Sequence, residues 1–259
     1  MVEAAVPTAR LRERRFYVVM AFICAAIAFG LFSLTYWGPL LAGRFTAAPV
    51  VHVHAIVFSA WIVMLVVQSC LVATGRLAHH RAWGLAGVSL ATAMVFVGLW
   101  TALHRVATEV ARGHAEASYA FAIIPIGGIA LFAVLMVFAF ANVHRPEIHK
   151  RLVLVATLGI LQAAVGRLFF IFLRPSPDIV HPSEGPPLAP TLTLPSAVLV
   201  DLLILAAIVY DWRTRGRPHP AYLIAGAATV AVQVLSVQLS GTAAWRAVVE
   251  WMLGVAAGA

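Results

Sequence analysis

Charge is what this chain has least of. Asp, Glu, Lys and Arg make up 11% of its 259 residues, against about a quarter in a soluble domain. Apolar residues take up 62% instead, and a chain of this length has too little interior to hide them from water. A soluble single domain is excluded, and so is disorder. Two cysteines exclude a disulfide scaffold. Cys24 and Cys70 both fall in apolar runs, where thiols are mostly inert packing groups. Enzyme signatures are missing too: no GxSxG, no HExxH, no phosphate loop and no aspartate-rich pair. No reaction is written in the sequence.

What is present is a series of long apolar segments. A helix crossing the hydrocarbon needs about 20 mostly apolar residues. Seven stretches meet this requirement, at about 16–38, 51–74, 84–105, 118–143, 152–173, 195–212 and 221–240. Tyr36, Trp37, Trp83, Trp100, Tyr210, Trp212 and Tyr222 fall near their ends, where interfacial rings are expected. The spans fill most of residues 1–259, so one integral membrane domain is expected, an all-α polytopic bundle. The formal net charge of +8 sits between the spans, which suits an anionic membrane surface rather than nucleic acid.

The basic residues also set an orientation. With the N-terminus in the cytoplasm, the inner segments hold twelve Lys and Arg and the outer segments five. The positive-inside rule then predicts N-in, C-out. Arg10–Arg15 ahead of an apolar run look like a secretory signal. The run is longer than the usual core of about 7–15 residues and lacks a small-x-small site, so the first span is expected to stay.

Residues 174–195 carry seven of the 14 prolines, around Asp178, His181 and Glu184. They read as a stiff outer connector, with a lid as the functional alternative. The tail 241–259 can form a helix with Trp245, Val249 and Met252 on one side and Arg246 and Glu250 on the other, as in a helix lying on the outer interface.

The three inner connections share a pattern. Arg76 precedes His80, Arg145 precedes His149 and Arg215 precedes His219, each by four residues. Spans two–three, four–five and six–seven then read as repeated helical hairpins, or the matches reflect ordinary basic anchoring. Taken functionally, His80, His149 and His219 lie at one depth and offer a zinc or iron site by ligand count. Helix N-termini and arginines disfavour a bare cation there and favour an anion. Haem fits both features: His80 and His149 as axial ligands, with Arg76, Arg81 and Arg145 toward the propionates.

Polar residues inside the spans form a second group. His54, Trp61 and Gln68 are seven apart and share one helix face, either as packing contacts or as a pathway wall. Arg167 and Asp201 are costlier to place in a membrane. At about 1.5 Å per residue, Arg167 stands about 22 Å above the inner end of its span and Asp201 about 9 Å below the outer end of its own. In a core about 30 Å thick these depths coincide, so the two could pair as a structural ion pair, or form a substrate or proton site facing the outside. Pro125, Gly127 and Gly128 predict a kink in the fourth span.

The run HVHAIVFSAWIVMLVVQSCLVATGRLAHHRAWG, then RPEIHKRLVLVAT, then HPAY, resembles a family of bacterial seven-helix membrane proteins. The resemblance covers nearly the whole chain and implies the bacterial inner membrane. It marks His54, Trp61, Gln68, Arg76, His80, Arg81, His149, Lys150, Arg151, Arg167, Asp211 and His219 as motif positions. It implies no activity. The histidines at helix ends are more loosely similar to those of membrane b-type cytochromes.

Three functions are therefore expected to compete. One is a haem-binding redox membrane protein whose electron partner, a quinone or a respiratory component, meets the inner face. Another is a carrier or binding protein for a small organic anion or lipid, with His54, Trp61, Gln68, Arg167 and Asp201 at its site. The third is an assembly factor whose polar residues only specify packing.

Overall fold

The computed structural model describes residues 5–173, 176, 181, 182 and 185–258. Arg174, counted above as an outer charge, and Asp178 and Glu184 lie outside the described residues. Every regular element among the described residues is helical: α1 (Ala5–Phe32), a π-turn (Ser33–Trp37), α2 (Gly38–Leu41), α3 (Pro49–Ala73), α4 (Leu77–Ala111), α5 (Ala115–Ala141) and α6 (Pro146–Leu173). A 3-10 turn (Pro190–Thr193) then leads into α7 (Leu194–Arg215), α8 (Pro220–Leu239) and α9 (Ala243–Gly258). Seven segments are long and apolar enough to cross a membrane, as the seven-span reading expects.

Helix ends follow local chemistry more closely than hydropathy does. Proline, whose missing N–H costs nothing in a first turn, opens α3, α6 and α8 at Pro49, Pro146 and Pro220. Gly216 closes α7 in the left-handed conformation at φ 77°, which an L side chain adopts only with strain. α4 runs several residues past the expected span at both ends, from Leu77 to Ala111. Falling hydropathy marks the membrane edge, whereas only a breaker such as Gly113 ends a helix. α5 continues through Pro125 as one helix.

α6 is the axis of the bundle. Half of its membrane window is buried, against 17% for α3. Ala156, Leu158, Leu161 and Ala164 of α6 pack in one core with Met94 of α4, Phe132 of α5 and Val200 of α7. Between helices already in lipid, burial of apolar area drives little, so close packing at small residues carries the association. Ala139, Ala156, Ala164, Ala207 and Ala225 are all buried. Large side chains such as Phe96, Trp100 and Phe138 point outward, where lipid takes the place of water.

α9 is docked as well as amphipathic. Val249 is buried against Val106 and Ala122, and the Trp245 indole donates to the Tyr119 carbonyl at 2.8 Å. Arg246 and Glu250 pair on the exposed side, as the sequence pattern expects.

Candidate functional site

At the end carrying the N-terminus and the three short connections, four helices meet in a charged knot. Arg151 of α6 is fully buried and donates from Nε and Nη2 to the Asp211 carboxylate of α7, at 2.9 and 2.6 Å. Its Nη1 donates to the Glu147 backbone carbonyl and carboxylate at 2.7 and 2.8 Å. Lys150 donates to Glu13 and Glu147, both at 2.7 Å, and Arg215 also reaches Glu147. Glu13, Glu147 and Asp211 thus balance Lys150, Arg151 and Arg215, three charges of each sign. Tyr17 and Tyr222 share a hydroxyl hydrogen bond of 3.0 Å beneath them. A buried pair satisfied this fully positions helices, and nothing in it waits for a ligand.

His219 belongs to this knot. Its backbone N–H donates to Asp211 at 3.1 Å, and its Nδ1 caps α8 by accepting the Ala221 N–H at 3.1 Å. The imidazole is held below its ordinary pKa by burial and then by Arg151 and Arg215. The expected metal group of His80, His149 and His219 does not assemble. Among the described residues no three His, Cys, Asp or Glu side chains come together as a metal site. The reason is local. Arg76 and Arg145 are the residues just before α4 and α6, so His80 and His149 fall at the fourth helical position. Pro220 starts α8 one residue after His219 and leaves that histidine outside the helix.

His80 and His149 stay close enough to interact electrostatically. The Nδ1 of His149 donates to the Ala139 carbonyl at 2.9 Å. A carbonyl only accepts, so Nδ1 carries a proton in this contact. The Nδ1 of His80 is buried with no partner. Arg76, Arg81 and Arg145 stand exposed at the same end.

The stripe on α3 divides along its length. Trp61 is buried and donates to Thr157 of α6 at 3.1 Å. Gln68 donates to the His80 carbonyl at 3.3 Å. The Gln68 Oε1 is buried and has no partner among the described residues. The Nδ1 of His54, nearer the far end, is buried without a partner.

The expected Arg167–Asp201 pair is not formed. Asp201 accepts from Gln233 of α8 at 3.2 Å, while Arg167 stacks over the Phe32 ring at 4.9 Å. The two side chains leave their helices toward different neighbours. Around Arg167 lies a cluster that spacing does not reveal. Arg105 of α4 is near enough for the two guanidiniums to repel; it donates to the Gly185 carbonyl at 3.1 Å and lies 4.0 Å from Glu109. Glu109 is already shared with Arg112 and His114. Arg167 has no carboxylate partner among the described residues; its Nη1 reaches only His181 Nε2, at 3.5 Å. Burial, then Arg167, Arg105 and His54, hold the His181 imidazole down at about 2, so it is neutral and accepts from Arg167.

The π-turn borders this cluster. Its Gly38 N–H reaches back five residues to the Ser33 carbonyl, and a Cβ at position 38 would stand 2.5 Å from that oxygen. Such turns are frequent at functional sites. Thr35, one turn past Phe32, is fully buried and its hydroxyl has no partner. Tyr36 meets His52 at 2.8 Å. Among the described residues, the far end therefore gathers two guanidiniums with little counter-charge and two buried polar atoms without partners. No family model, curated protein or solved structure matches the chain.

Proposed function

We propose that this multi-pass membrane protein binds a small oxyanion, a carboxylate or a phosphate, at the far end of the bundle, and serves as its carrier or receptor. The observation that carries this reading is Arg167, a guanidinium within a span that faces an aromatic ring, a neutral imidazole and a second arginine and, among the described residues, no acid. An isolated charge there is costly, and an anion offsets that cost by accepting two charge-assisted hydrogen bonds at once. Arg105, Thr35 and His54 supply further groups with hydrogen-bonding capacity to spare. On the positive-inside count the site opens outside the cytoplasm of a bacterial inner membrane.

The test is the melting temperature of the purified protein with phosphate, acetate, oxalate and succinate. A ligand at about 100 times its Kd adds about 2.7 kcal/mol of stability, an easily read shift. The Arg167→Gln variant should keep or raise the ligand-free melting temperature and lose the anion response. If no anion shifts the wild type, or Arg167→Gln responds equally, the reading fails.

A second reading, haem held between His80 and His149, draws support from the nearness of the two imidazoles and the exposed arginines at the same end. A quinone or respiratory partner would then meet the basic end. Oxidised and dithionite-reduced absorption spectra decide this reading. A Soret band lost in the His80→Ala, His149→Ala double variant supports it, and a colourless folded protein removes it. Failure of both readings leaves an assembly factor.

A further inference from the structure

Three helices that face one another inside the bundle do not close completely. Phe132 and Leu135 of α5, Val155 and Ala156 of α6, and Thr229 and Ser236 of α8 surround a cavity, and all six are buried. Two glycines keep it open. At Gly127 of α5 the neighbouring helix is near, since a Cβ there would stand 3.2 Å from Ser236 Oγ. A Cβ on Gly128 or Gly159 would meet nothing within 4 Å, although both residues line the cavity. Glycine weakens a helix interior relative to alanine, and close packing does not account for it at these two positions. What their missing methyl groups leave is space.

The chemistry of the walls selects the occupant. Gln162 and Gln233 also line the cavity. Gln162 Nε2 donates to the Thr193 carbonyl at 3.4 Å, and Gln233 Nε2 donates to the Asp201 carboxylate at 3.2 Å. Both partners only accept, so each amide gives them its nitrogen and keeps an oxygen over. The Thr229 hydroxyl donates to the Ala225 carbonyl at 2.9 Å, which leaves its oxygen as an acceptor too. Ser236 is only 5% exposed, and its hydroxyl has no hydrogen bond to the described residues. The cavity thus offers several acceptors and one spare donor, and no lining residue carries a charge. An anion finds too few donors there, and a metal cation finds no carboxylate among the lining residues. An apolar molecule would strand the Ser236 hydroxyl. The space is also small: about 30 Å³ is open to the centre of a water molecule, and one water takes about 10–15 Å³ by that measure. We propose that this cavity is a hydration site inside the membrane-spanning bundle. It holds about two ordered waters that accept from Ser236 and donate to the amide oxygens of Gln162 and Gln233. The waters join α6 to α8, and through Gln233 they bring Asp201 of α7 into the same network. The site stands apart from the anion reading and shares no residue with it.

The experiment is X-ray radiolytic footprinting of the full chain in phospholipid nanodiscs, read by peptide mass spectrometry. Ionised bound water releases hydroxyl radical where it sits, so the side chains beside it are oxidised even when bulk solvent is excluded. Phe132 lines the cavity and is buried, whereas Phe138 on the same helix faces lipid. Phe132 should be oxidised severalfold faster than Phe138. Gly159→Val places its side chain in the open space and should abolish that excess, with a melting temperature kept or raised. Ser236→Ala removes the spare donor and should reduce the excess severalfold. Equally slow oxidation of Phe132 and Phe138 in the wild type means a dry cavity and overturns the proposal. So does an excess at Phe132 that Gly159→Val leaves unchanged, because the radical then comes from elsewhere. A melting temperature raised by sodium but not by choline chloride, with the response lost in Gly159→Val, assigns the cavity to a cation and overturns it likewise.

Discussion

Arg151 and Asp211 stand sixty residues apart in sequence and meet in two parallel hydrogen bonds of 2.9 and 2.6 Å, with neither side chain open to solvent. Their meeting fixes how α7 sits on α6, and the Asp211 contact to the His219 backbone extends the hold to the start of α8.

Removing one partner strands the other charge. Arg151→Met or Asp211→Asn should each cost about 3–5 kcal/mol, read as a lowered unfolding midpoint in detergent. The double variant Arg151→Met, Asp211→Leu should recover part of that loss, since a matched apolar pair often replaces a buried ion pair without penalty.

Mild acid should loosen the fold through two of its histidines. His181 and His219 are both held below the ordinary histidine value, so at mildly acidic pH the unfolded chain binds more protons than the folded one. Their contribution is full above about pH 6.5 and declines as pH falls toward the folded values, by up to about 1.4 kcal/mol per pH unit at each site. Melting temperatures from pH 7 to 5 should fall in the wild type and fall less steeply in His181→Asn.

Thr157→Val keeps the shape of the α6 core and takes away the acceptor of the Trp61 indole. A buried N–H left without a partner costs about 1–3 kcal/mol. The unfolding midpoint should drop accordingly, while anion binding at the far end stays intact.

Orientation is open to direct measurement. A phosphatase reporter that is active only outside the cytoplasm should work when fused after Gly258 and fail when fused after Gly216. The reverse pattern would invert the bundle and turn the Arg167 cluster toward the cytoplasm.

The spans were legible because length and hydropathy alone fix what can cross a bilayer, and the prolines and Gly216 mark ends that hydropathy blurs. The heptad spacing of His54, Trp61 and Gln68 put three residues on one face but did not distinguish the bonded Trp61 from the partnerless His54. Depth arithmetic is blind to azimuth, and azimuth sent Asp201 to Gln233 and Arg167 to Phe32. Arg151 and Asp211 looked like edge charges, because a residue near a span end reads as interfacial until its helix proves central. Thr35 gave no signal at all. Its burial depends on a turn of altered pitch that no residue pattern announces, apart from the Gly38–Pro39 step.

That altered pitch has an evolutionary reading. A π-turn holds one residue more than the α-turn it replaces, so losing any one residue between Ser33 and Trp37 would let α1 run on regularly. The residues before and after it would keep their places, because the turn takes up its extra residue locally, and only the turn's own residues would shift. Thr35 and Tyr36 would then face elsewhere, and the far-end cluster would present different atoms. Relatives that differ here by a single insertion or deletion should keep the bundle and change this cluster.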